Sequence, residues 1–215
     1  MKQGLIFDLD GTLVDSLRGI AASLNQALAA SDLPIHPDSV VRGFIGNGSR
    51  ILIERAARAD ADEELLHTVE QAFKTDYDVT WQNGTLIYPG ITELLESLQA
   101  RGYPLAVLSN KPHPFTETIV SRMFPTIRFA TVLGQRAGIP HKPDPAGALE
   151  ISHTLHLRPD NCIVIGDSTM DLETAGNAGM RAIAVTWGFH DRDRLVAAGP
   201  EWIADDPAAL LAILA

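Results

Sequence analysis

The sequence holds a single cysteine in 215 residues, Cys162, which excludes an intramolecular disulfide. Set in Asn161-Cys162-Ile163-Val164-Ile165, it reads as a buried strand thiol rather than a nucleophile. Basic residues are scarce as well. The 17 Lys and Arg against 27 Asp and Glu leave a net charge of -10, and no basic run could track a nucleic-acid backbone, so a nucleic-acid partner is excluded. No apolar run approaches the length of a membrane span, so no membrane partner is expected. Met1 is followed almost at once by a short apolar segment and Asp8, which does not read as a secretory leader, and a cytoplasmic protein is the expectation. Gly-x-x-x-x-Gly-Lys-Ser/Thr is missing, which removes a P-loop nucleotidase.

What is present is the composition of an ordinary globular chain, 46% hydrophobic and 20% charged, long enough for one domain carrying a smaller inserted one. Apolar runs at 4–7, 105–108, 129–133, 162–165 and 182–186 lack in/out alternation and predict strands covered on both faces. Amphipathic stretches lie between them. Residues 91–101 carry Ile91, Leu94, Leu95 and Leu98 on one face, and 144–156 carry Leu149, Ile151 and Leu155. This alternation predicts an α/β fold, a doubly wound parallel sheet. Between Val14 and about Gly84 the rhythm fails. Helical patterns follow one another there, beginning after Asp15-Ser16 with Leu17, Ile20, Ala21, Leu24 and Leu28 and continuing at 49–59 and 62–79. The expected division is a sheet domain of residues 1–14 and 85–215 with a helical insert at 15–84.

The chemistry concentrates where strands end. Phe7-Asp8-Leu9-Asp10-Gly11-Thr12-Leu13-Val14-Asp15-Ser16 follows the first strand directly, on the side where parallel sheets bind ligands. Two carboxylates facing one small volume repel unless a cation lies between them, and Mg²⁺ suits oxygen ligands beside a phosphate. Phosphoryl chemistry needs one acid that stays ionised and attacks and one that gives and takes a proton. Asp8 suits the first role and Asp10 the second. Gly11 permits a tight turn beside the phosphate, and the Thr12 hydroxyl can orient a carboxylate. A plain helix-entry loop would use the same residues.

Three further strand ends supply complementary parts. Ser109-Asn110 offers a hydroxyl and an amide for phosphoryl oxygens, or a simple turn. Lys142, in His141-Lys142-Pro143-Asp144-Pro145, offers an ammonium to nucleophile and phosphate, or a solvated loop lysine. Gly166-Asp167-Ser168-Thr169-Met170-Asp171 offers carboxylates for a metal, or a helix cap.

Taken in order, Asp-Leu-Asp-Gly-Thr-Leu-Val-Asp-Ser, Ser-Asn, Lys-Pro-Asp-Pro and Gly-Asp-Ser-x-x-x-Asp resemble the four motifs of the haloacid-dehalogenase superfamily, with the insert resembling its small helical cap. The resemblance implies that Asp8 forms an aspartyl-phosphate, Asp10 is the general acid and base, Ser109 and Lys142 bind phosphate, and Asp167 ligates Mg²⁺. The metal shell would also take the Asp8 carboxylate and the Asp10 backbone carbonyl. Asp171 falls at the edge of that site, orienting Lys142 or a metal-bound water. Within the superfamily, Phe44-Ile45-Gly46-Asn47-Gly48-Ser49, Tyr88-Pro89-Gly90 and Ser109-Asn110-Lys111-Pro112 resemble phosphoglycolate phosphatase-like enzymes.

That resemblance implies a phosphoric monoester hydrolase acting on a small phosphorylated metabolite, as a monomer or homodimer. Arg50 and the amides of the loop ahead of it, Gly46-Asn47-Gly48-Ser49, could then meet an anionic substrate group such as a carboxylate, or the loop could cap a helix beside a solvated arginine. A phosphomutase would share Asp8 and Asp10. A phosphorylation-dependent switch module also places acids, a hydroxyl and a lysine around a parallel sheet, but has no helical insert.

Overall fold

The structure, a computed structural model, describes residues 3–215. The chain forms two compact units: one comprises the chain up to Val14 with Ile87–Ala215, the other Asp15–Leu86. The two crossings, β2 (Val14–Asp15) and β3 (Leu86–Ile87), form a two-stranded ribbon.

The first unit is built on β1 (Gly4–Phe7), four buried apolar residues whose lack of alternation suits a strand covered on both faces. The helical unit, taken by itself, contains α1 (Leu17–Ala30), α2 (Asp38–Val41), α3 (Ser49–Ala56) and α4 (Glu63–Thr80). Helices α1 and α4 pack together over Leu24, Leu28, Val69, Phe73 and Tyr77, all buried. Asp62 caps α4 by accepting a hydrogen bond from the Leu65 amide at 2.8 Å.

Returning to the first unit, the chain runs through α5 (Ile91–Ala100), β4 (Leu105–Pro112), α6 (His113–Met123), β5 (Phe129–Gln135) and α7 (Ala146–Thr154). It ends with β6 (Cys162–Gly166), α8 (Thr169–Ala178), β7 (Arg181–Val185), α9 (Arg192–Ala197), β8 (Trp202–Ala204) and α10 (Pro207–Ile213). The six strands pair in parallel in the order β5-β4-β1-β6-β7-β8. The α/β expectation holds, and the order reverses at β1, so the crevice between the ends of β1 and β6 is the switch point where such sheets bind ligands.

Ile6, Ala106, Leu108 and Val164 pack against Ala148 and Ile151 of α7 and Ala175 and Ala178 of α8. The alternate residues Leu5, Phe7, Val107 and Ile165, also buried, point to the opposite face. All four apolar residues expected on α5 are buried. The face expected on 144–156 needs correction: Leu149 is 38% exposed, while Ala148, Ile151 and Ser152 turn inward. Those three keep the i, i+3, i+4 spacing of one helical stripe, from which Leu149 is rotated away. Cys162 opens β6 as a buried thiol whose pKa burial, with the nearby Asp160 charge, pushes up to about 11.

Candidate active site

The β1 ladder continues one residue past its last apolar position. The Asp8 amide donates to the Ile165 carbonyl at 2.9 Å, so the Asp8 side chain emerges at the carboxyl end of β1 beside β6. A tight turn follows, in which the Leu13 and Val14 amides both donate to the Leu9 carbonyl and the Gly11 amide donates to that of Val14. Gly11 has φ 87°, in the left-handed region, and a Cβ there would lie 2.3 Å from an Asp167 carboxylate oxygen. Gly11→Ala is therefore expected to displace Asp167 and lower turnover by about 10²-fold, the usual cost of a 1 Å misplacement at a reacting centre. Steady-state turnover with a thermal melt would check it, and wild-type rates would show that Asp167 need not hold this position.

Asp167 follows β6 and is fixed from two sides. It accepts from the Thr12 hydroxyl at 2.9 Å and from the Phe189 amide at 2.7 Å. Gly188 lets the loop after β7 come this close, since a Cβ there would stand 2.3 Å from both the Asp167 Cβ and the Gly11 carbonyl oxygen. Trp187 ties the same loop down by donating from Nε1 to the Thr12 carbonyl at 3.0 Å. Thr12 thus uses its hydroxyl to orient a carboxylate, the task foreseen for it.

Lys142 is 4% exposed, and its ammonium spends itself on three acceptors: Asp8 Oδ1 at 3.0 Å, Asp171 Oδ1 at 2.6 Å and the Leu108 carbonyl at 3.1 Å. Asp171 is fully buried, and its second oxygen accepts from the Ser168 amide and hydroxyl in the capping box that starts α8. Both Asp171 oxygens are therefore engaged by protein donors. Asn110 clamps the same lysine by its main chain, accepting from the Lys142 amide at 2.8 Å and donating to the Lys142 carbonyl at 3.2 Å. The Asn110 side chain thus positions the main chain of Lys142. Ser109 is buried at the same strand end and accepts from the Lys111 amide at 3.2 Å.

Asp8, Asp167 and Asp171 bring one carboxylate oxygen each within 4.8 Å of one another, and the Asp10 carboxylate does not join them. Asp10 instead meets Lys111, whose ammonium stands 3.0 and 2.9 Å from its two oxygens. Lys111 escaped the sequence reading as a site residue, although a lysine closing an apolar strand before a proline was a usable signal. The Trp187-Gly188-Phe189 loop escaped it as well, because its role rests on main-chain groups. Arg50 lies on α3 of the helical unit, where Glu54 and Glu63 hold its guanidinium at 2.9 and 2.6 Å. In that unit Arg55 braces the preceding loop, donating to the Phe44 carbonyl at 3.0 Å and to Asn47 Oδ1 at 2.8 Å.

Electrostatics make the cluster a cation site in the making. Burial raises the Asp8 carboxyl well above the ordinary range; Lys142 opposes the shift while Asp171 and Asp167 add to it. Burial and then the Asp171 charge raise Asp167 too, against the Phe189 amide and the Thr12 hydroxyl. For Lys142, burial pulls downward, but Asp171 and Asp8 outweigh it and the ammonium is held above its ordinary value. Three close carboxylates, two of them buried, face one ammonium that contacts Asp8 and Asp171, so the ionised cluster carries an excess of two negative charges. Protonation or a divalent cation would relieve it, and an all-oxygen donor set fits a hard cation.

Comparison with known proteins agrees with the geometry. The sequence profile for haloacid dehalogenase-like hydrolases matches residues 5–185. A phosphoglycolate phosphatase from Pectobacterium atrosepticum is 33% identical over 99% of this chain and 92% of its own length. One from Haemophilus influenzae strain 86-028NP is 35% identical over 97% and 96%. A haloacid dehalogenase-like family hydrolase from Streptococcus pneumoniae superposes with TM-score 0.89 at 26% identity, covering 100% of this chain and 99% of that one. A crystal structure from Lactobacillus delbrueckii subsp. bulgaricus reaches TM-score 0.94 at 30% identity, with coverage of 100% and 99%. No helix among the described residues is long and apolar enough to cross a membrane.

Proposed function

The chain belongs to the haloacid dehalogenase-like hydrolases, and from that premise we propose that it is a Mg²⁺-dependent phosphatase hydrolysing 2-phosphoglycolate or a closely similar small monoester through an aspartyl-phosphate on Asp8. The observation that carries the reading is the convergence of Asp8, Asp167, Asp171 and Lys142 at the switch point of the sheet. The substrate class rests on the relatives above, which are phosphoglycolate phosphatases over nearly the whole chain.

In the proposed reaction an Asp8 oxygen attacks phosphorus as the ester P–O bond breaks, and Asp10 gives its proton to the leaving alkoxide. Asp10 then removes a proton from water, which attacks phosphorus, breaks the bond to Asp8 and releases inorganic phosphate. Lys142 favours the ionised form of Asp8 against burial and lends positive charge to the phosphoryl oxygens, with the buried Ser109 hydroxyl as a further donor. Asp8 and Asp167 would hold Mg²⁺ together with the Asp10 carbonyl, while Asp171, its oxygens engaged, would orient Lys142. When bound, the cation supplies charge neutralisation to phosphate and nucleophile.

The test is phosphate release across 2-phosphoglycolate, sugar phosphates, nucleotides and pyrophosphate, with and without Mg²⁺. A Mg²⁺-dependent preference for 2-phosphoglycolate supports the reading, and preference for another ester discards that substrate while keeping the phosphatase. Absence of turnover on all of them sinks it.

A pH dependence follows from the raised carboxyls. Between the ordinary carboxylate range and about 7, the folded-state value of Asp167, the native state binds more protons than the unfolded chain. Metal-free protein is thus expected to lose stability through this group as pH rises across that window, with Asp8 adding in the same sense. Lys142 stays charged throughout and contributes no slope. Melting temperatures in EDTA should fall less steeply for Asp167→Asn than for the wild type, and the increment from added Mg²⁺ should grow with pH. Parallel curves for the two proteins would show that Asp167 titrates normally.

A further inference from the structure

The two lysines of the site divide the carboxylates between them: Lys142 serves Asp8 and Asp171, and Lys111 serves Asp10. We propose that Lys111 is a positioning residue that fixes the orientation of the Asp10 carboxylate for proton transfer, an inference that rests on the acid/base reading of Asp10.

Lys111 is built in rather than draped over the surface. It is the penultimate residue of β4, and its amide donates to the Ser109 hydroxyl oxygen at 3.2 Å while its carbonyl accepts from the Thr116 hydroxyl at 3.1 Å. Behind it, a Cβ on Gly134 would stand 2.6 Å from that same carbonyl, so β5 closes the space through which the strand end could shift. Pro112 follows and stiffens the entry to α6. The side chain is 6% exposed and its ammonium contacts both Asp10 oxygens, themselves on a residue 13% exposed. Ordering and burying a lysine costs rotamer entropy and hydration, which a two-oxygen ion pair offsets in a setting this dry.

Asp10 needs such a partner. The residue after it is Gly11, at φ 87°, so the main chain immediately beyond Asp10 is a turn rather than a strand. The carboxylate must also face an ester oxygen in one half-reaction and a water in the next. Proton transfer by a misaimed carboxylate forfeits much of the acceleration that a positioned one supplies. A lysine with the same charge but no grip on Asp10 would act on the substrate instead, and that would appear in KM.

The experiment compares Lys111→Met, Lys111→Arg, Asp10→Asn and the double variant Asp10→Asn/Lys111→Met, with a thermal melt of each. The substrates are an alkyl phosphate that the wild type hydrolyses and p-nitrophenyl phosphate, whose leaving group departs without a proton. Lys111→Met is expected to lower kcat/KM on the alkyl ester by about 10²-fold through kcat, with KM moving no more than about threefold. On p-nitrophenyl phosphate the loss in kcat/KM should stay under about tenfold, Lys111→Arg should recover most of the rate, and the double variant should be no slower than Asp10→Asn. Equal losses on both esters, a loss carried by KM, or additive losses in the double variant would overturn the proposal. If Lys111→Met fails to fold, Lys111→Gln with Asp10→Asn/Lys111→Gln supplies the same cycle. An inactive Asp10→Asn beside a fully active Lys111→Met rejects the inference alone. A fully active Asp10→Asn rejects the acid/base reading and the inference with it.

Discussion

Asp8→Asn is expected to reduce turnover by at least about 10⁴-fold, the scale on which removing a covalent nucleophile acts, while the protein folds and melts at the wild-type temperature or above in EDTA. The amide keeps the shape of the carboxyl and can still accept from the Leu9 amide, which donates to Asp8 Oδ1 at 2.7 Å. Lys142 retains Asp171 and the Leu108 carbonyl as partners. What disappears is a buried negative charge that burial and two neighbouring carboxylates disfavour, so the metal-free fold loses nothing it depends on. The variant separates catalysis from structure, because a fall in rate without a fall in melting temperature cannot come from unfolding. Phosphate release and a melt on the same preparation check it. Wild-type turnover would remove Asp8 from the mechanism and with it the aspartyl-phosphate.

The sequence made the fold legible wherever burial on both faces forced continuous apolar runs. The strands at β1, β4, β6 and β7 were located that way, whereas β5, at the sheet edge, showed the same apolar run although only Leu133 and Gly134 of it are buried. It failed at β8, three residues of Trp-Ile-Ala at the sheet edge, too short to show a period. It also stopped β4 early, at residue 108, whereas the strand runs to Pro112. The reason is functional: Ser109, Asn110 and Lys111 are polar yet buried, because the end of β4 lines the site. Polar residues continuing a buried strand read as a turn until tertiary structure gives them partners.

The site divides along the same boundary. Asp8, Asp10, Gly11 and Thr12 were legible because a strand end and a tight turn are local events. The Asn110 clamp on Lys142, the Lys111 pair with Asp10 and the Phe189 amide on Asp167 join residues that are 32, 101 and 22 positions apart. No local pattern encodes such pairings, since each depends on which strand ends the sheet order brings together.

Lys142→Met tests the most concentrated of those pairings. Removing one partner of a buried ion network, unlike replacing all of it, leaves charge without compensation and typically costs about 3–5 kcal/mol. Here the ammonium bridges Asp8 and Asp171, so its loss should destabilise the fold on that scale and also remove a charge that favours ionised Asp8. The sign with pH is set by Asp8, whose carboxyl burial already holds well above the ordinary range: without Lys142 its value rises further, so the penalty is largest at neutral and higher pH and shrinks as it takes up a proton on acidification. Chemical denaturation of the wild type and Lys142→Met at pH 5.5 and 8 should show the gap widening with pH. The decisive comparison adds Asp171→Asn, which removes one of the stranded charges. Lys142→Met/Asp171→Asn is expected to be more stable than Lys142→Met, the reverse of additive loss. If the second substitution destabilises the first as much as it does the wild type, the lysine supports the site by packing alone, and its charge cannot be what holds Asp8 ready to attack.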